Sequence, residues 1–391
     1  KIIKWNEGWQ FIKNCADPKA TEGAIVIDLP HSWNAEDGQD GGNDYFRGSC
    51  LYTKTVNKES LGEGRHYLEI RGANSSADVY VGDSKLAHHD GGYSTFRVDL
   101  TDALAEMYGV DPAEVICTNG SDEVLDFAFQ AFCDEKTPAV FPDITYGFYP
   151  VFAARNGVPC ETIPLKDDFT IDIKDYFHTG KTVFIANPNA PTGIALTRAQ
   201  VEEILKANPD NVVVIDEAYV DFGAESCVPL VAKYDNLLVT QTFSKSRSMA
   251  GARLGFAIGN EALISDLHTL RYSTNPYNVN RMTMAAGYAS LYEGEHFAKT
   301  CAVIEKNREY TAKKLKEMGF DVLDSKTNFL FVRNEKIDGE ELYQKLKERR
   351  VLVRHFKADR IKDFNRVSIG TLRQMDVFLE NVRQILSEIQ Q

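Results

Sequence analysis

From about residue 103 to 285, short apolar runs alternate with helical stretches, and no other feature constrains the fold as much. The runs at 139–141, 182–186, 212–215, 236–241 and 254–258 are of strand length. Strands alternating with helical patterns predict an α/β fold on a mostly parallel sheet. The helix at 198–206 opens with a capping box, Thr197 to Gln200. An earlier helical stretch, Ala103 to Val110, is closed by Gly109, a C-cap signal. Open parallel sheets bind ligands outside the carboxyl ends of their strands. The loops after these runs are therefore where chemistry is expected.

The loop after 236–241 runs Thr242-Phe243-Ser244-Lys245-Ser246-Arg247-Ser248-Met249-Ala250-Gly251-Ala252-Arg253. It offers hydroxyls, one lysine, small residues and an arginine before the next strand. Pyridoxal phosphate needs such a set. A lysine amine condenses with its aldehyde, while hydroxyls and a guanidinium hold its phosphate. A Ser-Lys pair alone is a weak signal, because a solvated basic turn looks the same. Four other elements strengthen it. Strand 212–215 ends in Asp216, a carboxylate able to keep a pyridine nitrogen protonated. Strand 182–186 opens into Asn187-Pro188-Asn189-Ala190-Pro191-Thr192-Gly193. Asn119-Gly120-Ser121-Asp122-Glu123 precedes an apolar helix, and free N–H groups at a helix start suit a phosphate. Thr145-Tyr146-Gly147 puts an aromatic ring in a loop, where it can stack on a flat cofactor.

A net charge of −13 argues against nucleic acid or an anionic membrane surface as partner. No apolar run reaches transmembrane length. The seven cysteines are odd in number and widely spaced, without a CxxC. They read as buried free thiols, Cys133 and Cys160 among them, in a reducing compartment, the cytoplasm. No His/Cys cluster has metal-ligand spacing, and His88-His89 reads as a solvated surface turn.

Residues 1–100 differ in kind. All three tryptophans, Trp5, Trp9 and Trp33, lie here, and apolar residues alternate in short runs between Gly, Asp, Asn and Ser turns. This pattern predicts an antiparallel β-sandwich. Leu29-Pro30-His31-Ser32-Trp33-Asn34, Tyr45-Phe46-Arg47-Gly48 and His89-Asp90-Gly91-Gly92-Tyr93-Ser94-Thr95-Phe96 carry a resemblance to the sugar-binding jelly roll of family 2 glycoside hydrolases. The resemblance implies an all-β sandwich, partial in length, with packing around Trp33 and a possible carbohydrate contact. That family's catalytic barrel has no counterpart, so hydrolysis is not implied. The strand Ser94 to Val98 runs almost directly into the next helix with no linker, unlike a natural domain boundary, and this predicts a chimeric join.

From about 286 to 391 a smaller α+β unit is expected. It has a long helix at about 290–318, strands near 321–324 and 328–332, and a helix at 340–349. Strands at 351–353 and 366–369 and a last helix follow. Residues 101–391 resemble the fold-type I pyridoxal-phosphate aminotransferases, most closely the histidinol-phosphate aminotransferases. The loops above carry the resemblance, with Asp216-Glu217-Ala218-Tyr219, Thr327-Asn328-Phe329 and Arg366-Val367-Ser368-Ile369-Gly370-Thr371.

The resemblance implies a three-layer α/β large domain at 101–285, a small domain at 286–391 and a homodimer. It implies transamination between histidinol phosphate and 2-oxoglutarate, with Lys245 as cofactor lysine and proton carrier. Asp216 pairs with the ring nitrogen, Tyr219 and Asn189 bond the ring hydroxyl, and Tyr146 stacks on the ring. Ser121, Asp122, Thr242, Ser244 and Arg253 bind the cofactor phosphate. Arg366 clamps the substrate carboxylate, Arg354 meets the substrate phosphate, and Asn328 lies near the substrate. Two departures stand out. Ala190 takes the place of an asparagine before Pro-Thr-Gly, and residues 1–100 stand where relatives carry an arm that reaches the partner's cofactor phosphate. The second departure implies looser cofactor binding and low turnover. Aromatic aminotransferases and threonine-phosphate decarboxylases share the core motifs, and a carbohydrate-binding fusion with an inactive second half is a further alternative.

Overall fold

The computed structural model describes residues 4–32, 46–56, 68, 70, 72–73, 76–81, 84–90 and 100–389. The chain divides into two compact units, Lys1–Val98 and Asp99–Gln391. In the first, β1 (Trp9–Ile12) pairs antiparallel with β2 (Ile25–Ile27) and β3 (Leu51–Thr53). β4 (Ser76–Val81) and β5 (Ser84–Asp90) form a separate hairpin. Phe11 is buried, with the rings of His31 and Tyr52 at 4.6 and 4.9 Å, whereas Val26 is 75% exposed.

The described residues do not show the expected jelly roll. That architecture packs two sheets built from eight strands, and here three short strands share one sheet and two another. Trp33, Asn34, Tyr45 and residues 91–98, which carried much of the resemblance, lie outside the described residues. His88 belongs to strand β5 rather than to a turn, and its Nδ1 bonds Asp78.

The second unit opens with α1 (Leu100–Tyr108), β6 (Val115–Thr118), α2 (Ser121–Phe132), β7 (Ala139–Pro142), α3 (Tyr149–Asn156) and β8 (Cys160–Ile163). Next come β9 (Thr182–Ala186), α4 (Arg198–Ala207), β10 (Val213–Asp216), β11 (Leu237–Thr242) and β12 (Gly255–Gly259). α5 (Glu261–Thr274), α6 (Arg281–Tyr292) and α7 (Gly294–Glu317) follow. The seven strands lie in the order β6-β12-β11-β10-β9-β7-β8. Every residue of β9, β10 and β11 is buried, which is why the stretches 183–186, 213–215 and 237–239 are continuously apolar rather than alternating. The pleat sends Val213 and Ile215 to one face, with Leu104, Val201 and Leu291 of α1, α4 and α6. Val214 goes to the other, with Phe129, Phe152 and Leu267 of α2, α3 and α5. Each such fully buried aliphatic side chain contributes about 1.5–3 kcal/mol.

The sheet is mixed. β12 runs antiparallel to both β11 and β6, while the other pairings are parallel. No crossover helix separates β11 from β12, and a parallel return needs one. The whole Lys245 loop is therefore held at one end of the sheet. The strands at 115–118 and 160–163 were not expected. The first is a four-residue run, and the second is a largely exposed edge strand.

The C-terminal part adds β13 (Phe320–Val322), β14 (Phe329–Asn334), α8 (Gly339–Glu348), β15 (Arg354–His355), β16 (Asn365–Ser368) and α9 (Leu372–Ile389). Its antiparallel sheet, ordered β13-β14-β16-β15, packs on α7, α8 and α9. The helix expected over 290–318 is two helices, broken at Glu293. The strand expected at 351–353 lies instead at 354–355. Arg350, at φ 61°, and Val351, whose N–H bonds the Leu346 carbonyl, finish α8. Among the described residues the cysteines are free thiols, and Cys160 is exposed rather than buried. No described helix is long and apolar enough to cross a membrane.

Candidate active site

A pocket opens where β9, β10 and β11 end and α2 begins. Asp216 is the last residue of β10, Thr242 the last of β11, and Ser121 the first of α2. Ser121, Asp122, Tyr146, Asp216 and Tyr219 line it, together with Thr242, Ser244, Lys245 and Arg253. Short side chains at Ala186, Pro188, Ala190, Ala218 and Ala250 complete the wall. Residues from five separate loops thus meet in one cavity.

At one end the first turn of α2 presents its N–H groups. Its cap residue, Gly120, has φ 81° and no capping side chain, so the helix start is open to an anion. Arg253 lies over Gly120, its Nη2 2.6 Å from where a Cβ would sit, and is 3.3 Å from Asp122 Oδ2. Gly255 of β12 allows this close packing, because a Cβ there would land on the backbone of Gly120 and Ser121. Gly255→Ala is therefore expected to push α2 outward, lowering stability by about 1–3 kcal/mol. Cofactor retention on dialysis should fall with it. Unchanged melting and retention would show that the helix start is not tightly placed.

At the other end Asp216 is 5% exposed. Its Oδ2 accepts from Tyr149 Oη at 3.1 Å and its Oδ1 from the Ala218 N–H at 3.2 Å. Burial raises its pKa to about 6, against the pull of these two donors. Asp122 adds to the rise, and Lys245 opposes it. Lys245 Nζ lies 5.3 Å from the centre of the Tyr219 ring. Tyr146 donates to Asp122 Oδ1 at 2.8 Å, and burial, with that carboxylate, raises its pKa far above the usual phenol value.

Asn189 is brought near but not into the wall. Its Nδ2 donates to the Ile144 carbonyl and to Thr192 Oγ1, and its Oδ1 accepts from Thr145. The amide is spent on bracing the loop, so its expected bond to a ring hydroxyl is not what this geometry provides. Asn328, Arg354 and Arg366 do not line the pocket either. Arg366 is linked to it through rings: its guanidinium lies 5.0 Å from the Phe329 ring, which meets Tyr219 edge-on at 5.2 Å. Arg354 and Arg366 are directly opposed on β15 and β16.

Sequence reasoning missed Tyr149, fully buried behind Asp216. Its only signal was a second tyrosine three positions after Tyr146. It also missed the network behind Glu217, where the Cys227 N–H, Ser226 Oγ and Gln241 Nε2 all donate to one carboxylate. Burial raises the pKa of Glu217 to about 7 against these three donors. Tyr108 closes that network through Gln241 Oε1 at 2.7 Å.

The donor set fits pyridoxal phosphate. An open helix start with hydroxyls and Arg253 suits a phosphate, a lysine amine suits an aldehyde, and a buried carboxylate suits a ring nitrogen. Comparisons with known proteins agree. Residues 81–382 match the family model "Aminotransferase class I and II". The histidinol-phosphate aminotransferase of Brachyspira hyodysenteriae is 50% identical over 289 residues, covering 74% of this chain and 82% of that protein. The fold matches histidinol-phosphate aminotransferase of Sinorhizobium meliloti, solved with pyridoxal-5'-phosphate, with TM-score 0.68 at 22% identity over 74% of this chain and 81% of that one. It also matches an L-threonine-O-3-phosphate decarboxylase from Porphyromonas gingivalis, with TM-score 0.65 at 21% identity over 74% and 88%. The chain belongs to the aminotransferase class I and II family.

Proposed function

We infer that this chain is a pyridoxal-phosphate-dependent aminotransferase of histidine biosynthesis. It passes the amino group of histidinol phosphate to 2-oxoglutarate, giving imidazole-acetol phosphate and glutamate. The observation that carries this reading is the convergence of Lys245, Asp216 and the α2 N-terminus on one pocket, in a chain that is 50% identical over 289 residues to a histidinol-phosphate aminotransferase.

Pyridoxal phosphate supplies, when bound, an aldehyde that takes up amino groups and a ring that stores the electron pair left as a proton departs. Lys245 Nζ would hold the aldehyde end and, when free, would accept the proton from the substrate α-carbon. Asp216 keeps a proton at the ring nitrogen. Tyr146 would stack on the ring, and Tyr219 would bond its hydroxyl, since the Asn189 amide is engaged elsewhere. The N–H groups of Ser121 and Asp122, with Thr242, Ser244 and Arg253, bind the cofactor phosphate.

Arg354 and Arg366 form the proposed substrate anion site, with Asn328 beside it. Like charges directly opposed across strands destabilise a sheet. Among the described residues neither arginine has an ion-pair partner, and Arg366 Nε is buried without a hydrogen bond. The two substrates answer that excess in turn, histidinol phosphate with its phosphate and 2-oxoglutarate with its carboxylates. Arg354→Ala is expected to raise KM for histidinol phosphate about ten- to hundredfold, the loss of one or two hydrogen bonds to a charged group. KM for unphosphorylated histidinol should change little. Equal effects on the two would remove Arg354 from the phosphate site. Faster turnover of phenylalanine than of histidinol phosphate would favour an aromatic aminotransferase, and carbon dioxide release from threonine phosphate a decarboxylase.

The division into 1–100, 101–285 and 286–391 is our proposed domain plan, and a homodimer our proposed assembly. Tyr272, Tyr277 and Met282, on and between α5 and α6, are 64%, 89% and 84% exposed. Large exposed apolar side chains of this kind support that assembly.

A further inference from the structure

We propose that Tyr149 is a positioning residue for this reaction: its hydroxyl holds the Asp216 carboxylate charged and aimed at the cofactor's ring nitrogen. The inference rests on the pyridoxal-phosphate reading of the pocket. It concerns a residue that does not line that pocket.

Tyr149 is the first residue of α3, and its N–H bonds the Tyr146 carbonyl at 3.2 Å. The two tyrosines are thus one turn apart, their rings edge-on at 5.6 Å. Tyr146 sends its hydroxyl to Asp122, and Tyr149 sends its own to Asp216. One short turn therefore reaches both ends of the pocket.

Packing alone asks for phenylalanine at this position. The Tyr149 ring is fully buried among Phe129, Phe141 and Phe184, with centroids at 6.5, 5.6 and 6.0 Å. A hydroxyl in such surroundings is unfavourable unless it is bonded. Its partner is Asp216 Oδ2 at 3.1 Å. A phenol is acidic only when its anion is stabilised, and burial beside Asp216 does the reverse, raising its pKa well above the usual value. Tyr149 is therefore a fixed donor.

The carboxylate is gripped from behind on both oxygens, by Tyr149 on Oδ2 and by the Ala218 N–H on Oδ1. Asp216 also lines the pocket. The other groups acting on Asp216 are Asp122, which raises its proton affinity, and Lys245, which lowers it. The Tyr149 hydrogen bond is the largest influence opposing burial. Without it the carboxylate takes the proton that the ring nitrogen needs, and the ring becomes a weaker electron sink.

Tyr149→Phe removes one oxygen and leaves the ring packing intact. The test uses cofactor labelled with nitrogen-15 in the ring, bound to wild type, Tyr149→Phe, Asp216→Asn and the double variant, with the rate profile of each against pH. In Tyr149→Phe the nitrogen signal should move from the protonated position of wild type toward the unprotonated position of Asp216→Asn. With one pK unit lost, kcat should fall about tenfold, while KM for histidinol phosphate changes less than about threefold. In the Asp216→Asn background the same change should cost less than about twofold in kcat. Tyr149→His, which keeps a ring N–H donor, should lie between wild type and Tyr149→Phe and serves if the Phe variant melts early. An unmoved nitrogen signal, or an equal loss of kcat in both backgrounds, would reduce Tyr149 to packing and overturn the proposal. Absence of a bound nitrogen signal in wild type would overturn the cofactor reading too. It is told apart because no variant would then show one.

Discussion

Lys245→Ala should leave the chain folded and lower transamination by on the order of 10⁴-fold, the upper range for losing a positioned proton carrier. Lys245 stands three residues past β11 in a loop tied down on both sides. Ser246 Oγ bonds Asp221, and Arg247 Nη1 bonds the Ser290 carbonyl at 2.7 Å. The loop keeps its course without the lysine. Non-covalent contacts to the cofactor phosphate should survive, so the cofactor should still bind but wash out on dialysis. Borohydride reduction followed by denaturation should leave cofactor attached to wild type and not to Lys245→Ala. A small external amine should restore part of the rate. Full turnover by the alanine variant, or cofactor fixed to it by borohydride, would move the lysine role elsewhere.

Asp216→Asn should lower kcat on the order of 10³-fold, about 4 kcal/mol of barrier, with melting little changed. It removes the charge that holds the proton at the ring nitrogen. The pH dependence supplies a second readout. In the folded chain the pKa of Asp216 is raised from 3.8 to about 6, mainly by burial. Above about pH 6 the carboxylate is ready for a protonated ring. Below it, binding has to expel a proton, so cofactor affinity of the apoprotein should be level above about pH 6 and fall about tenfold per unit beneath it. Asp216→Asn should be flat across this window.

Stability follows the opposite sense. The folded state binds this proton more tightly than the unfolded chain does, so the apoprotein should lose stability as pH rises through about 6. Glu217, raised to about 7, extends the slope upward. Asp216→Asn should remove the lower part of it. An affinity profile in the asparagine variant that matches wild type would assign the titration to another group.

Nine of the ten cofactor residues expected from the sequence line one pocket. They were legible because they sit at strand ends, at a helix start or in the loops that follow strands, where chain direction and loop position follow from the pattern. Asn189 was not, because an amide beside a pocket and an amide in its wall have the same sequence neighbours. The bonds to Ile144, Thr145 and Thr192 decide between them. The N-terminal segment shows the opposite failure. Its motifs predicted a sandwich, and the described residues hold small sheets with Phe11 as their buried hydrophobic residue.

By itself the sequence determined the α/β alternation, the loops that carry chemistry, and the cofactor they suit. These are local properties: apolar runs, caps and residue types at strand ends. Tertiary structure alone decided that β12 returns antiparallel, that Gly255 lets α2 lie against it, and that Tyr149 reaches Asp216 from another element. Those outcomes depend on which distant segments share a face. Residue spacing along one chain carries no record of distances between strands that meet only on folding.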